Sequence, residues 1–233
     1  MKGKLIVIDG VNASGKKTQV EMLVERLRAG GKNAFAVHFP AYGTPFGEMV
    51  ARYLKGDFGK RESVSFELAS LLYAADRYNK KKEIAAMLAE GAFVVLDRYT
   101  QANLAYQTAE MQGREWTAGV KWVESVESRL PKADLVFFLD VPPKVAEALF
   151  KTREQKNPFV AKDIHETDRQ YELAVYKNYL RLAREKKWIV LNCVSKGRLK
   201  TREDIHKAIF KKLEKKNWFK IPRHPNILLA PFV

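Results

Sequence analysis

The stretch Gly10-Val-Asn-Ala-Ser-Gly15-Lys16 constrains this chain more than any other. It follows a short apolar run, Lys4–Asp9 (KLIVID). It precedes residues 17–29, where Val20, Leu23, Val24 and Leu27 recur at spacings of three and four. The run reads as a buried parallel strand, and the periodic segment as a helix that Gly30-Gly31 stops. A glycine-rich turn between strand and helix curls the backbone so that successive N–H groups face one anion. The helix N-terminus adds partial positive charge there. Lys16 is then placed to reach the β- and γ-phosphates of a nucleotide. The spacing alone is a weak signal, and its position between strand and helix makes it a strong one.

The same alternation continues. Asn33–Phe39, Ala92–Asp97, Asp134–Asp140 and Trp188–Cys193 are further short apolar runs, and residues 65–90, 166–186 and 201–216 read as helices. Strands separated by helices imply crossover connections and an α/β fold with a parallel sheet of five strands, covered on both faces. Ligands on such sheets bind at the carboxyl ends of the strands. Asp9, Asp97 and Asp140 each close a strand there. Residues 1–220 are expected to form one domain with a small mobile lid at about 151–165, and 221–233 a tail whose three prolines prevent one regular helix.

Composition narrows the class. Cys193 is the only cysteine, which excludes an internal disulfide and a cysteine-rich zinc site. No apolar run approaches the roughly 20 residues of a membrane span. The stretch before Asp9 is too short for a secretory leader, so the expected compartment is the cytoplasm. The net charge of +15 is uneven: +3 over residues 1–140 and +12 over 141–233. Lys211, Lys212, Lys215 and Lys216 read as a solvated helix face, with non-specific, salt-sensitive nucleic-acid binding as a side effect.

A phosphate loop does not separate kinases from other nucleotide hydrolases, but three features favour phosphoryl transfer to a small acceptor. Asp97-Arg98-Tyr99 closes the third strand, and Arg98 is a fork donor suited to a transferring phosphoryl group. In the long helix, Leu68, Leu71, Leu72 and Ala75 are expected as the buried stripe, with Tyr73 and Arg77 on another face, suited to a nucleobase and a phosphate. Residues 153–165, with Arg153, Lys156 and Lys162, read as a basic loop that closes over phosphates and excludes water. Lys17 stands where a magnesium-binding Ser or Thr is usual. An ammonium cannot ligate a cation, so the metal is left to phosphates, waters or Thr18. Lys17 itself either accompanies a bound polyphosphate or points to solvent.

The runs IDGVNASGKKTQ (8–19), FPAYGTPFG (39–47), LLYAADRY (71–78), DRYTQANLAYQ (97–107), LPKADLVFFLDVPP (130–143) and KDIHETD (162–168) together resemble the thymidylate kinase family of nucleoside monophosphate kinases. The resemblance covers residues 4 to about 215. It implies the three-layer α/β/α P-loop kinase fold and ATP-dependent phosphorylation of dTMP to dTDP with Mg²⁺, by a homodimer. It implies ATP binding by Gly10, Asn12, Ala13, Ser14, Gly15, Lys16, Lys17 and Thr18, and catalysis by Lys16, Asp97, Arg98 and Arg153. Asp97 would order magnesium waters. The acceptor would meet Asn12, Phe39, Pro40, Tyr42, Tyr73, Arg77, Arg98, Asn103, Tyr106 and Gln107, with Tyr73 stacked on thymine and Arg77 on the acceptor phosphate.

The chain departs from the family pattern at four positions. Asn12 replaces a usual acid, Ala41–Tyr42 lacks an arginine expected near the acceptor phosphate, Ala13 replaces a loop arginine found in some members, and Lys17 replaces the hydroxyl. The family's basic catalytic group is then expected from the lid, as Arg153. Two other readings stay open: a kinase for another pyrimidine monophosphate such as dUMP, and a weakly catalytic module that binds nucleotide or nucleic acid.

Overall fold

The computed structural model describes residues 2–156, 168–216 and 218, with side chains described for all but 152–156. Five parallel strands, β1 (Lys4–Asp9), β2 (Ala34–His38), β3 (Phe93–Asp97), β4 (Leu135–Asp140) and β5 (Ile189–Asn192), lie in the order β2-β3-β1-β4-β5. Among the described residues eight α-helices accompany them: α1 (Lys16–Ala29), α2 (Pro45–Lys55), α3 (Phe66–Ala89), α4 (Thr100–Gln107), α5 (Gly113–Val126), α6 (Pro143–Lys156), α7 (Arg169–Glu185) and α8 (Arg202–Glu214).

Successive strand residues face opposite sides, and β1 uses both. Ile6 and Ile8 join Val20 and Leu23 of α1 and Ile209 of α8 in one core. Leu5 and Val7 join Ile84 of α3 and Leu130 in the other. The result is the three-layer α/β/α fold of P-loop kinases. Chain direction matters for the site. From β1 the chain runs to β2 on one side, and after β3 it crosses to β4 on the other side of β1. Ligands bind where the strand order reverses in this way. Ile8 pairs with Asp97, so the carboxyl ends of β1 and β3 meet at that crevice.

Local chemistry sets the helix starts. Ser65 accepts from Leu68 N–H at 3.3 Å to cap α3, and Thr44 accepts from Gly47 N–H at 3.1 Å to cap α2, with Pro45 at the first position. Asp168 caps α7 through Gln170 and Tyr171 N–H at 2.9 and 3.0 Å.

Two expectations are corrected. The buried face of α3 carries Ala69, Ser70, Leu72, Ala74, Asp76, Arg77 and Ile84, whereas Leu68 and Leu71 are 48% and 46% exposed. On that face Arg77 borders a cavity and Asp76 accepts from Ala41 N–H at 2.9 Å, pairings that a leucine pattern alone cannot register. Residues 153–156 are helical, as the last turn of α6, rather than loop. The segment 108–112 separates α4 from α5, and a small hairpin, β6 (Val194–Ser195) with β7 (Arg198–Leu199), follows β5. The remainder of the expected lid, 157–167, and the tail 221–233 lie outside the described residues.

One core residue predicts an acid response. His206 of α8 is buried, its Nδ1 has no hydrogen-bond partner, and burial with the Arg26 charge lowers its pKa to about 4. A histidine depressed in the folded state favours folding above its unfolded value of 6.5, and that stability is lost as pH falls from there towards 4. From pH 7 to pH 5 this group removes about 2 kcal/mol. Urea melts of the wild type and His206→Leu at both pH values should differ by that amount. Equal pH slopes would show that His206 is not the source.

Candidate active site

The phosphate loop is built by backbone geometry. At Gly10 a Cβ would meet Leu139 O at 2.9 Å and Ser14 Oγ at 3.0 Å, so the loop passes β4 too closely for a side chain. Ala13 and Gly15 have φ of 55° and 86°, left-handed values that curl the chain into a cradle ahead of α1. Lys16 is buried and donates from Nζ to Val11 O at 2.7 Å, so its charge reaches back across the loop. Lys17 instead points to solvent, 74% exposed and 3.8 Å from Glu21. Thr18 is half-buried in the first turn of α1.

The crevice between β1 and β3 holds a charged cluster. Burial pushes the Asp9 carboxyl up, although Arg98 and Lys16 oppose it. Tyr179 Oη donates to Asp9 Oδ1 at 2.8 Å. Burial also raises Asp97, but His38, Lys16 and Arg98 outweigh it and hold the group below its ordinary value, so Asp97 is ionised. Asp97 Oδ1 is buried without a hydrogen-bond partner. Among the described residues no three His, Cys, Asp or Glu side chains gather as a metal cage. A single ionised carboxylate with a spare oxygen fits an outer contact to Mg²⁺, which keeps several waters in most sites.

Arg98 joins these parts. Its φ of 64° turns the chain sharply at the end of β3. Nη1 donates to Gly10 O at 3.3 Å, Nη2 donates to Asn12 Oδ1, and Nη2 reaches Tyr106 Oη at 3.4 Å. Burial works against its charge, yet Tyr106, Tyr179, Asp9 and Asp97 together hold its pKa well above the ordinary value. The guanidinium is therefore a fixed cation beside the phosphate loop.

Next to Arg98 opens a cavity of about 120 Å³, lined by Asn12, Phe39, Pro40, Tyr42, Leu54, Tyr73, Arg77, Arg98, Ala102, Asn103, Tyr106 and Gln107. Every residue expected to meet the acceptor borders this one cavity, with Leu54 and Ala102 in addition. Arg77 is buried and its Nε donates to Glu127 Oε1 at 2.5 Å. The side chain of Arg153 lies outside the described residues.

A family model for thymidylate kinase matches residues 8–209. The chain belongs to the thymidylate kinase family. Among its relatives, the thymidylate kinase of Plasmodium falciparum is 32% identical over 92% of this chain and 91% of that protein. That of Schizosaccharomyces pombe is 30% identical over 89% and 90%. The solved thymidylate kinase of Candida albicans shares the fold, with a TM-score of 0.73 and 24% identity over 92% of each chain. Against the family pattern, Asn12 offers a neutral acceptor that Arg98 and Tyr106 engage. Tyr42, at 61% exposure, stands at the cavity mouth in place of an arginine.

Sequence reasoning missed the groups behind the cavity. Tyr179 sits on a helix face that reads as core, Asp9 reads only as a strand-ending acid, and Glu127 lies 50 residues from Arg77 with no local pattern to link them.

Proposed function

We propose that this chain transfers the γ-phosphoryl group of ATP to dTMP, giving dTDP and ADP. One observation carries the choice of a thymine or uracil base over cytosine. Three polar atoms of cavity residues have no hydrogen-bond partner: Arg77 Nη2, a donor; Asn103 Oδ1, an acceptor; and Gln107 Nε2, a donor. The hydrogen bond from Asn103 Nδ2 to Ser70 O at 3.2 Å sets which end of that amide is free. The pairing edge of thymine presents an acceptor, a donor and an acceptor. Cytosine exchanges one of these acceptors for an amine, which would leave a buried donor unpaired at a cost of about 1–3 kcal/mol. Phe39 and Leu54 give the ring an apolar wall, and Tyr73 gives it a stacking face.

The chemistry asks for placement rather than a side-chain base, because the acceptor phosphate is already an anionic nucleophile. Lys16 and the loop N–H groups hold the donor phosphates, and Arg98 stands between them and the acceptor. Arg153 is the lid residue offered for the remaining charge. Bound Mg²⁺ would neutralise charge on the donor phosphates, with Asp97 holding its waters.

Three wider readings rest on the same footing. Neighbouring helices α2 and α3 leave Phe46, Met49, Leu68 and Leu71 exposed, which suits a homodimer face. Among the described residues no helix is long and apolar enough to cross a membrane, and a cytoplasmic location agrees with that. The basic C-terminal part would bind nucleic acid only weakly and without sequence choice.

The deciding experiment is ADP release with ATP·Mg²⁺ and a panel of dTMP, dUMP, UMP, dCMP, dGMP and AMP. Turnover is expected to be fastest with dTMP, and kcat/KM for dCMP at least about tenfold lower. A preference for another acceptor would move the specificity. ADP release that needs no acceptor would replace the reading with a simple nucleotide hydrolase.

A further inference from the structure

We propose that Glu127 is a positioning residue for acceptor choice: its carboxylate fixes Arg77 at the cavity wall without touching the acceptor. The inference rests on the reading that the cavity holds the base.

The side chains of Arg77 and Glu127 are 2% and 3% exposed. Glu127 lies just past the end of α5 and does not border the acceptor cavity. It borders a separate groove of about 600 Å³ at the amino ends of β4 and β5. Its carboxylate therefore meets Arg77 from behind. With Nε bound to Glu127 Oε1 at 2.5 Å, rotation of the guanidinium is fixed and Nη2 is left without a partner. Asn103, which also borders the cavity, is held separately: its Nδ2 donates to Ser70 O at 3.2 Å.

The pair also decides what Arg77 can recognise. An unpaired guanidinium in a buried cavity would draw an anion. Neutralised by Glu127, it offers a directed N–H to an uncharged carbonyl instead. This separates Arg77 from Arg98, whose partners at the crevice include the loop carbonyl of Gly10 and whose cation faces the phosphates. The expected role of Arg77 on the acceptor phosphate is thereby moved to the base.

A merely structural ion pair would lower stability and leave acceptor choice alone. The test compares wild type, Glu127→Gln, Arg77→Met and the double variant Arg77→Met/Glu127→Met. The readouts are kcat and KM for dTMP and dCMP, and KM for ATP. Glu127→Gln keeps the size and one acceptor oxygen but loses the charge. It is expected to raise KM for dTMP about tenfold, to lower the dTMP-over-dCMP preference by a similar factor, and to leave KM for ATP within about twofold. The double variant buries no lone charge, which protects the fold. It is expected to show no further loss of preference beyond Arg77→Met, as coupled groups require. Unchanged preference in Glu127→Gln, equal rises in both KM values, or additive losses in the double variant would overturn the inference. A wild type that does not prefer dTMP would overturn the base reading itself, and is seen in the same assay.

Discussion

Lys16→Ala is expected to lower kcat about a thousandfold while the protein still folds and melts as one unit. The lysine is the only ammonium that the phosphate loop turns inward, since Lys17 leans outward towards Glu21. Phosphoryl transfer builds charge on the oxygens between donor and acceptor, and a cation already in place needs no rearrangement to meet it. The side chain contributes little to the core. Its hydrogen bonds to Val11 O and Ser14 Oγ lie within the loop itself. The fall should appear in kcat more than in KM for ATP, because the loop N–H groups still bind the donor phosphates. A coupled assay with saturating ATP and dTMP reads it directly. Turnover within about tenfold of wild type would remove Lys16 from the catalytic role.

Arg98→Lys is expected to lower kcat/KM for dTMP by about 100-fold, nearly as much as Arg98→Met. The reason is geometric. The guanidinium spans Gly10 O, Asn12 Oδ1, Tyr106 Oη and Tyr179 Oη at once. An ammonium keeps the charge but cannot hold that fork. Stability should fall as well, because Asp9 is wholly buried and Arg98 Nη1 lies 3.7 Å from its Oδ1. Steady-state kinetics beside a thermal melt separate the two effects. Full activity in Arg98→Lys would mean that charge alone suffices and that the fork is incidental.

Much of this was readable from the residues. Short apolar runs ending in acids mark the strands, and the glycine spacing places the phosphate loop, because both are local properties of the chain. The start of α3 at Ser65 and its end at Glu90 are legible for the same reason. The facing of α3 is not. Its leucines look like a core stripe, yet the helix buries Asp76 and Arg77, whose partners Ala41 N–H and Glu127 come from distant segments. The same applies to the support behind Arg98. Tyr179 and Asp9 are 170 residues apart, and no spacing rule couples them. Motifs therefore mark which residues border the cavity, and tertiary packing alone reveals which groups hold them there.

The order of the strands also has a consequence in time. Strand β1, which delivers the phosphate loop, pairs with β3 and β4, beginning with Lys4↔Phe93 and Ile6↔Leu135. Neither neighbour exists when β1 leaves the ribosome. At roughly 5–20 residues per second, β1 waits on the order of ten seconds before both flanks are available. Until β3 emerges, a strand with apolar side chains on both faces has no neighbour, and until β4 follows one of its edges stays open. The strand that carries the phosphate loop is thus made well before the partners that enclose it, and about 130 residues of chain must follow before both its edges are covered.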